Sequence, residues 1–178
     1  MVALLPRWSP EGTQLAFFGG TSTESFRVYV IPATGGTPRR VTAGTLPEAD
    51  PSWSPDGRRL AFGNTSGGQA GTTPNTTIQV LDLGTGQATQ LPGSEGFFSP
   101  RWSPDGERIV FDSNRDGRWE LYVIHAAGGA PQRVTDHPAD DCCGSWSHDG
   151  RWIYFMSARS GQRQIWKMRA GGGEVVQI

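Results

Sequence analysis

A twelve-residue phrase occurs four times in this chain of 178 residues, and it constrains the fold more than any other feature. The copies read "PRWSPEGTQLAF" (6–17), "PSWSPDGRRLAF" (51–62), "PRWSPDGERIVF" (100–111) and "GSWSHDGRWIYF" (144–155). Their tryptophans, Trp8, Trp53, Trp102 and Trp146, are spaced 45, 49 and 44 residues apart. A period of this length marks a repeat architecture, in which each copy is one structural unit.

Nine residues after each tryptophan stands a phenylalanine (Phe17, Phe62, Phe111, Phe155), preceded at two residues by Leu15, Leu60, Ile109 or Ile153. A spacing of two puts both side chains on one face of a strand. A second apolar run follows: "VYVI", "IQVL", "LYVI" and "IWKM". Then come a small-residue turn, Gly35-Gly36 in the first copy, and a last aliphatic position at Val41, Leu91, Val134 and Ile178. Each unit therefore reads as four short strands, the second ending at the phenylalanine. No segment carries a sustained helical period with caps. The 25 glycines and 13 prolines fall at regular intervals between the runs, as turn residues do. A four-stranded sheet of roughly 46 residues cannot bury both faces alone, so neighbouring units must stack. The expectation is an all-β chain of four β-propeller blades, each of four antiparallel strands, at about 6–46, 47–95, 96–139 and 140–178.

Within the phrase, Pro10, Pro55 and Pro104 suit the second position of a tight turn, and Gly12, Gly57, Gly106 and Gly150 suit its exit. The intervening Glu11, Asp56, Asp105 and Asp149 are read as turn-capping residues, because four symmetry-related copies do not converge on one point. The tryptophans are read as packing between blades. Turns after the first and third strands lie on one face and hardly vary. The opposite face carries the connections from strand two to strand three, which span 11, 16, 10 and 10 residues, and those from one blade to the next. Variable loops on a repeated scaffold are where binding specificity resides. The longest is "GNTSGGQAGTTPNTT" (63–77), which also holds two Asn-x-Ser/Thr matches, at Asn64 and Asn75.

The pattern W-S-P-D-G-x-x-[LI]-x-F, then [LIV]-[YW]-x-[IM], then G-G-x-P-x-R-V-T resembles the TolB-like propeller repeat over essentially the whole chain. The second copy departs from it at Gln79 and in "LGTG", and the fourth at Gly144 and His148. The resemblance implies a bacterial envelope or sensor context and protein interaction in place of catalysis. It also implies more blades than four, so that this chain is a segment of a longer array or completes its ring by oligomerisation. An alternative is the accessory propeller of a prolyl-oligopeptidase-like hydrolase, or of a sensor or regulator with further domains. A third is a propeller lyase, with its site in the channel.

The candidate partner-binding residues are Glu48, Asp50, His137, Asp140 and Asp141 at the channel mouth, with Arg115 and Arg159 in the loops. Asp112, Asn114, Asp116 and Gly117 match the opening of a calcium loop, but Val123 stands where the bidentate glutamate belongs, so a hairpin loop is the favoured reading. His137, Asp140, Asp141, Cys142, Cys143 and His148 fit no zinc spacing. In register, Cys142-Cys143 aligns with Ala49-Asp50 and Phe98-Ser99, and both thiols are expected to be reduced and partly buried. No cofactor is called for. Sixteen Lys and Arg against seventeen Asp and Glu argue against a nucleic-acid groove. No apolar run approaches the roughly 18 residues that cross a bilayer. The N-terminus lacks the basic and apolar parts of a secretion signal, which leaves periplasm or cytoplasm open. An arc of blades would leave two apolar faces bare, so self-association is expected, most simply two copies in an eight-bladed ring, with closure of the four blades alone as the alternative.

Overall fold

A computed structural model describes residues 2–65 and 76–178. Ten of the fifteen residues of the long connection, 66–75 with Asn75, lie outside the described residues. Four sheets of four antiparallel strands follow one another along the chain. The first contains β1 (Val2–Trp8), β2 (Gln14–Gly20), β3 (Arg27–Pro32) and β4 (Arg39–Arg40). The second contains β5 (Glu48–Trp53), β6 (Arg59–Thr65), β7 (Thr76–Asp82) and β8 (Ala88–Gln90). β9 (Phe98–Trp102), β10 (Arg108–Ser113), β11 (Glu120–His125) and β12 (Gln132–Arg133) form the third, and β13 (Asp141–Trp146), β14 (Trp152–Ser157), β15 (Gln164–Arg169) and β16 (Val175–Gln177) the fourth. Within each sheet the spatial order is the chain order, as in a propeller blade. The four blades form an arc that does not close on itself. The one helical element among the described residues is a 3₁₀ turn, Thr23–Ser25.

Two boundaries differ from the sequence reading. β1 begins at Val2, ahead of residue 6, because Val2, Ala3 and Leu4 pair with Gly20, Gly19 and Phe18. The second strand of each blade runs two or three residues beyond its phenylalanine, to Gly20, Thr65, Ser113 and Ser157. Ladder hydrogen bonds continue there although the apolar alternation has ended.

The repeated phrase builds a turn held by its serine as much as by its proline. Ser9, Ser54, Ser103 and Ser147 each accept, on the carbonyl, the amide of the glycine three residues on, at 2.9–3.0 Å. Each serine Oγ also accepts the amide five residues on, that of Gln14, Arg59, Arg108 or Trp152, at 2.9–3.0 Å. In three blades the same hydroxyl donates to the turn aspartate, Asp56, Asp105 or Asp149, which also accepts the amide two residues on. These bonds hold the three carboxyls below the usual range, the serine bond being the largest cause. The left-handed glycine is required at the turn exit, as at Gly106 with φ 74°. A Cβ at Gly106 would also stand 3.1 Å from Pro55 Cγ of the preceding blade.

The core lies between blades. Leu60 and Phe62 of β6 pack with Ala16 and Val28 of the first blade, while Ala61, between them, packs with Ile109 and Phe111 of the third. Val110, likewise alternate to Ile109, packs with Ile153 and Phe155 of the fourth. Period two thus feeds both sheet faces. The tryptophans cross these seams. Trp53 Nε1 donates to the Arg7 carbonyl at 3.1 Å, and Trp146 Nε1 to the Arg101 carbonyl at 3.0 Å. Arg59 and Arg108 stack over the rings of Trp102 and Trp146, at 4.7 and 4.9 Å. At the ends of the arc the faces are bare: Trp8 is 61% exposed, and Val2 and Leu4 beside it and Ile165, Val176 and Ile178 at the other end are also exposed.

Candidate binding pocket

Each inner strand (β1, β5, β9, β13) is interrupted at the same place. Three residues before each tryptophan the backbone turns left-handed: Leu5 (φ 47°), Asp50 (52°), Ser99 (49°) and Cys143 (62°). These are the only non-glycine residues with positive φ among the described residues. The pairing register shifts there in every blade, between Leu4 and Arg7, Ala49 and Ser52, Val110 and Asp112, and Cys142 and Ser145. A bulge of this kind re-aims side chains, and left-handed non-glycine residues concentrate where a site is built. One backbone device therefore delivers four unlike side chains, Leu, Asp, Ser and Cys, to the inner edge of the arc.

The bulges open onto a cavity of about 360 Å³ at the loop face, lined from all four blades. Its apolar wall is Leu5, Phe18, Phe98 and Trp119; its polar groups include Asp50, Asp112, Asp140 and Arg163. Phe98 and Trp119 meet edge to face at 5.5 Å, which keeps the aromatic wall in place. Few polar groups on an apolar concavity is the usual make-up of a ligand site.

Asp50 ties the pocket floor together. Arg101 Nη2 lies 2.9 Å from both its oxygens, and Arg7 Nη2 lies 3.3 Å from Oδ1, so one carboxylate joins three blades. Burial lowers the Arg7 pKa, with Arg101 adding to the effect and Asp50 opposing it. Asp112, buried in β10, accepts the amides of Cys143 (2.9 Å) and Gly144 (3.4 Å) from the bulge of the next blade. Burial pushes its carboxyl up to about 7; those two amides oppose the rise.

The expected site residues divide. Asp50 and Asp140 line the pocket; Asp140 also accepts the Trp119 amide at 3.2 Å. Glu48 is not a mouth residue: it is buried between blades, accepting the Val28 amide at 2.9 Å and the Thr42 hydroxyl. Burial raises its pKa. Asp141 is fully buried and paired at 2.7 Å with Arg159, which in turn stacks on Phe155 and Trp166. Arg115 is exposed over Phe97, 5.3 Å from the ring centroid. His137 accepts the Ala139 amide at 3.1 Å, away from the cavity lining. The calcium-like carboxylates diverge, Asp112 toward the fourth blade and Asp116 onto the Tyr122 hydroxyl. His148 sits with Pro55 and Pro104 at the opposite end of the inner strands, apart from the cysteines. Among the described residues no group of three or more His, Cys, Asp or Glu could hold a metal ion.

Sequence reasoning missed Leu5, Ser99, Phe98, Trp119 and Arg163. The signal that could have found the first two is positional: three residues before each tryptophan. It also gave no role to the threonine of "RVT", whose hydroxyl in the third blade accepts the Leu121 amide at 2.9 Å and donates at 2.7 Å to buried Glu120.

A profile described as TolB beta propeller domain matches residues 71–178. The chain belongs to the TolB beta-propeller family. Among solved structures, a protein assigned to TolB from Agrobacterium tumefaciens superposes with a TM-score of 0.84 at 27% identity, over 99% of this chain and 66% of that one. TolB from Acinetobacter baumannii gives 0.83 at 26%, over 99% and 43%. The TolB-family chain thus spans less than two thirds of either relative. An oligogalacturonate lyase in complex with manganese shares the fold, with a TM-score of 0.72 at 21% identity, over 95% of this chain and 48% of that one. No curated protein matches in sequence.

Proposed function

We propose that this TolB-family segment is a non-catalytic scaffold that binds a protein or peptide at the loop face of its inner edge. The observation that carries the reading is the pocket into which three of the bulges present Leu5, Asp50 and Ser99 and the fourth blade presents Cys142, beside an aromatic wall. Such a site can take an apolar anchor against Phe98 and Trp119 while Asp140 and Arg163 pair with polar groups around it. The perturbed Asp112 faces backbone amides of its own protein, which gives it a part in holding blades together.

The test is selection of peptides from a display library on the folded chain, followed by affinity measurement. Trp119→Ala with Arg163→Ala is expected to weaken the selected peptides at least about tenfold with the fold retained, as Arg163 is exposed and Trp119 is a half-buried residue of the cavity wall. Affinity unaltered by both changes overturns the assignment.

We also propose that the 178-residue chain pairs with a second copy through its two end faces. Exposed Trp8, Val2 and Leu4 at one end and Ile165, Val176 and Ile178 at the other support this. At the inner seams, faces of the same kind pack against a neighbouring blade, which supports this reading. Apolar surface of that kind marks an association site.

A further inference from the structure

We propose that Cys142 and Cys143 form a reversible dithiol–disulfide pair at the pocket rim, oxidised by a hydroperoxide. Adjacent residues of a regular strand point to opposite faces, which would hold their sulfurs apart. Here the left-handed backbone at Cys143 (φ 62°) and the register shift to Ser145 fold both side chains toward each other, and the sulfurs lie 3.3 Å apart. Both cysteines are free. Cys143 is exposed, whereas the sequence led us to expect it partly buried; Cys142 is half-buried and lines the cavity. The bulge that aims Leu5, Asp50 and Ser99 into the pocket thus brings two thiols together in the fourth blade.

The roles of the two sulfurs follow from their surroundings. The Cys142 thiol, bonded to its neighbour, draws the Cys143 thiol down to about 6; burial opposes this, Arg101 and Arg163 assist, and Asp50 opposes. The same contact raises Cys142, with burial and the nearby charges of Cys143 and Asp112 adding to it. An accessible thiolate beside a resolving cysteine is the arrangement found in redox-sensing pairs. The Cys143 sulfur attacks the outer oxygen of the hydroperoxide. An S–O bond forms, the O–O bond breaks, and the leaving oxygen takes a proton and departs as alcohol or water. Cys143 is now a sulfenic acid. The Cys142 sulfur then attacks the Cys143 sulfur, the S–S bond forms, and the hydroxyl leaves as water with the Cys142 proton. Two thiols are oxidised and one peroxide is reduced. Neighbouring Cα atoms stand about 3.8 Å apart, short of the usual disulfide span of roughly 4.4–6.8 Å, so the bond is strained and easily reduced again.

The experiment treats the reduced 178-residue chain with one equivalent of hydrogen peroxide at pH 6. Intact mass and peptide mapping should show the loss of two hydrogens within the 142–143 peptide, loss of both titratable thiols, no linkage between chains, and recovery with dithiothreitol. Cys142→Ser, which keeps a hydrogen-bond donor, should stop at a dimedone-trapped sulfenic acid on Cys143. Cys143→Ser should react at least about tenfold more slowly than wild type at this pH, where an ordinary thiol is almost wholly protonated. Oxygen added to each sulfur separately, a disulfide between two chains, or equal rates for Cys143→Ser and wild type would each overturn the proposal. The wild-type mass shift stands without either variant.

Discussion

Arg101 sets one guanidinium nitrogen 2.9 Å from each oxygen of Asp50, across the seam between the second and third blades. Asp50 is nearly buried, is left-handed, and also faces Arg7. Removing its charge leaves two guanidinium groups near each other without their anion, a change that costs about 3–5 kcal/mol where a pair is buried. Arg7 and Arg101 keep some solvent access, so Asp50→Asn is expected to cost about 2 kcal/mol. Asp50→Ala should cost roughly 1 kcal/mol more, since asparagine tolerates the left-handed region and alanine does not. Urea midpoints of the three proteins decide the order; equal midpoints for the two variants would remove the backbone part of the argument.

Asp112 gives stability a pH slope of unusual sign for a carboxylate. Below about pH 4 the folded and unfolded chains both hold its proton, and it costs nothing. As pH rises the unfolded chain releases the proton first, near 3.9, while the fold keeps it until about 7. The contribution of Asp112 therefore falls between those values and is level above them, by at most about 4 kcal/mol. Asp112→Asn, which still accepts the Cys143 and Gly144 amides, should flatten this slope. Denaturation of both proteins at pH 5 and pH 8 measures it, and parallel slopes would refute the assignment.

Two tryptophans at the same position of the repeat should respond differently to the same change. Trp53 Nε1 donates to Arg7, whereas Trp102 Nε1 is buried without a hydrogen-bond partner. Both rings are buried, so replacement by phenylalanine shrinks either alike. Trp53→Phe forfeits a hydrogen bond in addition, and Trp102→Phe removes an unsatisfied donor. The first is expected to be the more destabilising by about 1 kcal/mol or more, read from denaturation midpoints.

The bare end faces predict a mass in solution. At micromolar concentration, sedimentation equilibrium should give twice the mass of the chain, and Trp8→Glu should restore the monomer by burying a charge at the join. A monomer at all concentrations would dismiss pairing of the two ends.

The blades were readable because tryptophan, glycine and phenylalanine recur at fixed distances and each answers a local demand of strand or turn. The pocket was less readable, for two physical reasons. The bulge is a backbone property shared by Leu5, Asp50, Ser99 and Cys143, which have no side-chain chemistry in common. A proline follows three of them, but Gly144 follows Cys143, so no letter marks the site in every copy. The second reason is that the fate of a carboxylate depends on the neighbouring blade. Glu48 and Asp50 lie two residues apart and look alike in sequence, yet Glu48 is consumed by Thr42 and Val28 of the first blade, and Asp50 reaches the cavity. Period two within one strand does not reveal what the adjoining sheet offers.

The recurrent left-handed bulge separates what the rim says from what the scaffold costs. A substitution at Leu5, Ser99 or Cys143 would change one side chain at the inner edge and leave the turns, seams and ladders of that blade in place, whereas Asp50 also ties three blades together. The alphabet is nonetheless restricted: residues that tolerate positive φ, asparagine and aspartate foremost, enter cheaply, and β-branched ones pay in strain. Diversification of this arc toward new ligands would therefore run along a short, predictable set of edits, one per blade, before any loop had to change length.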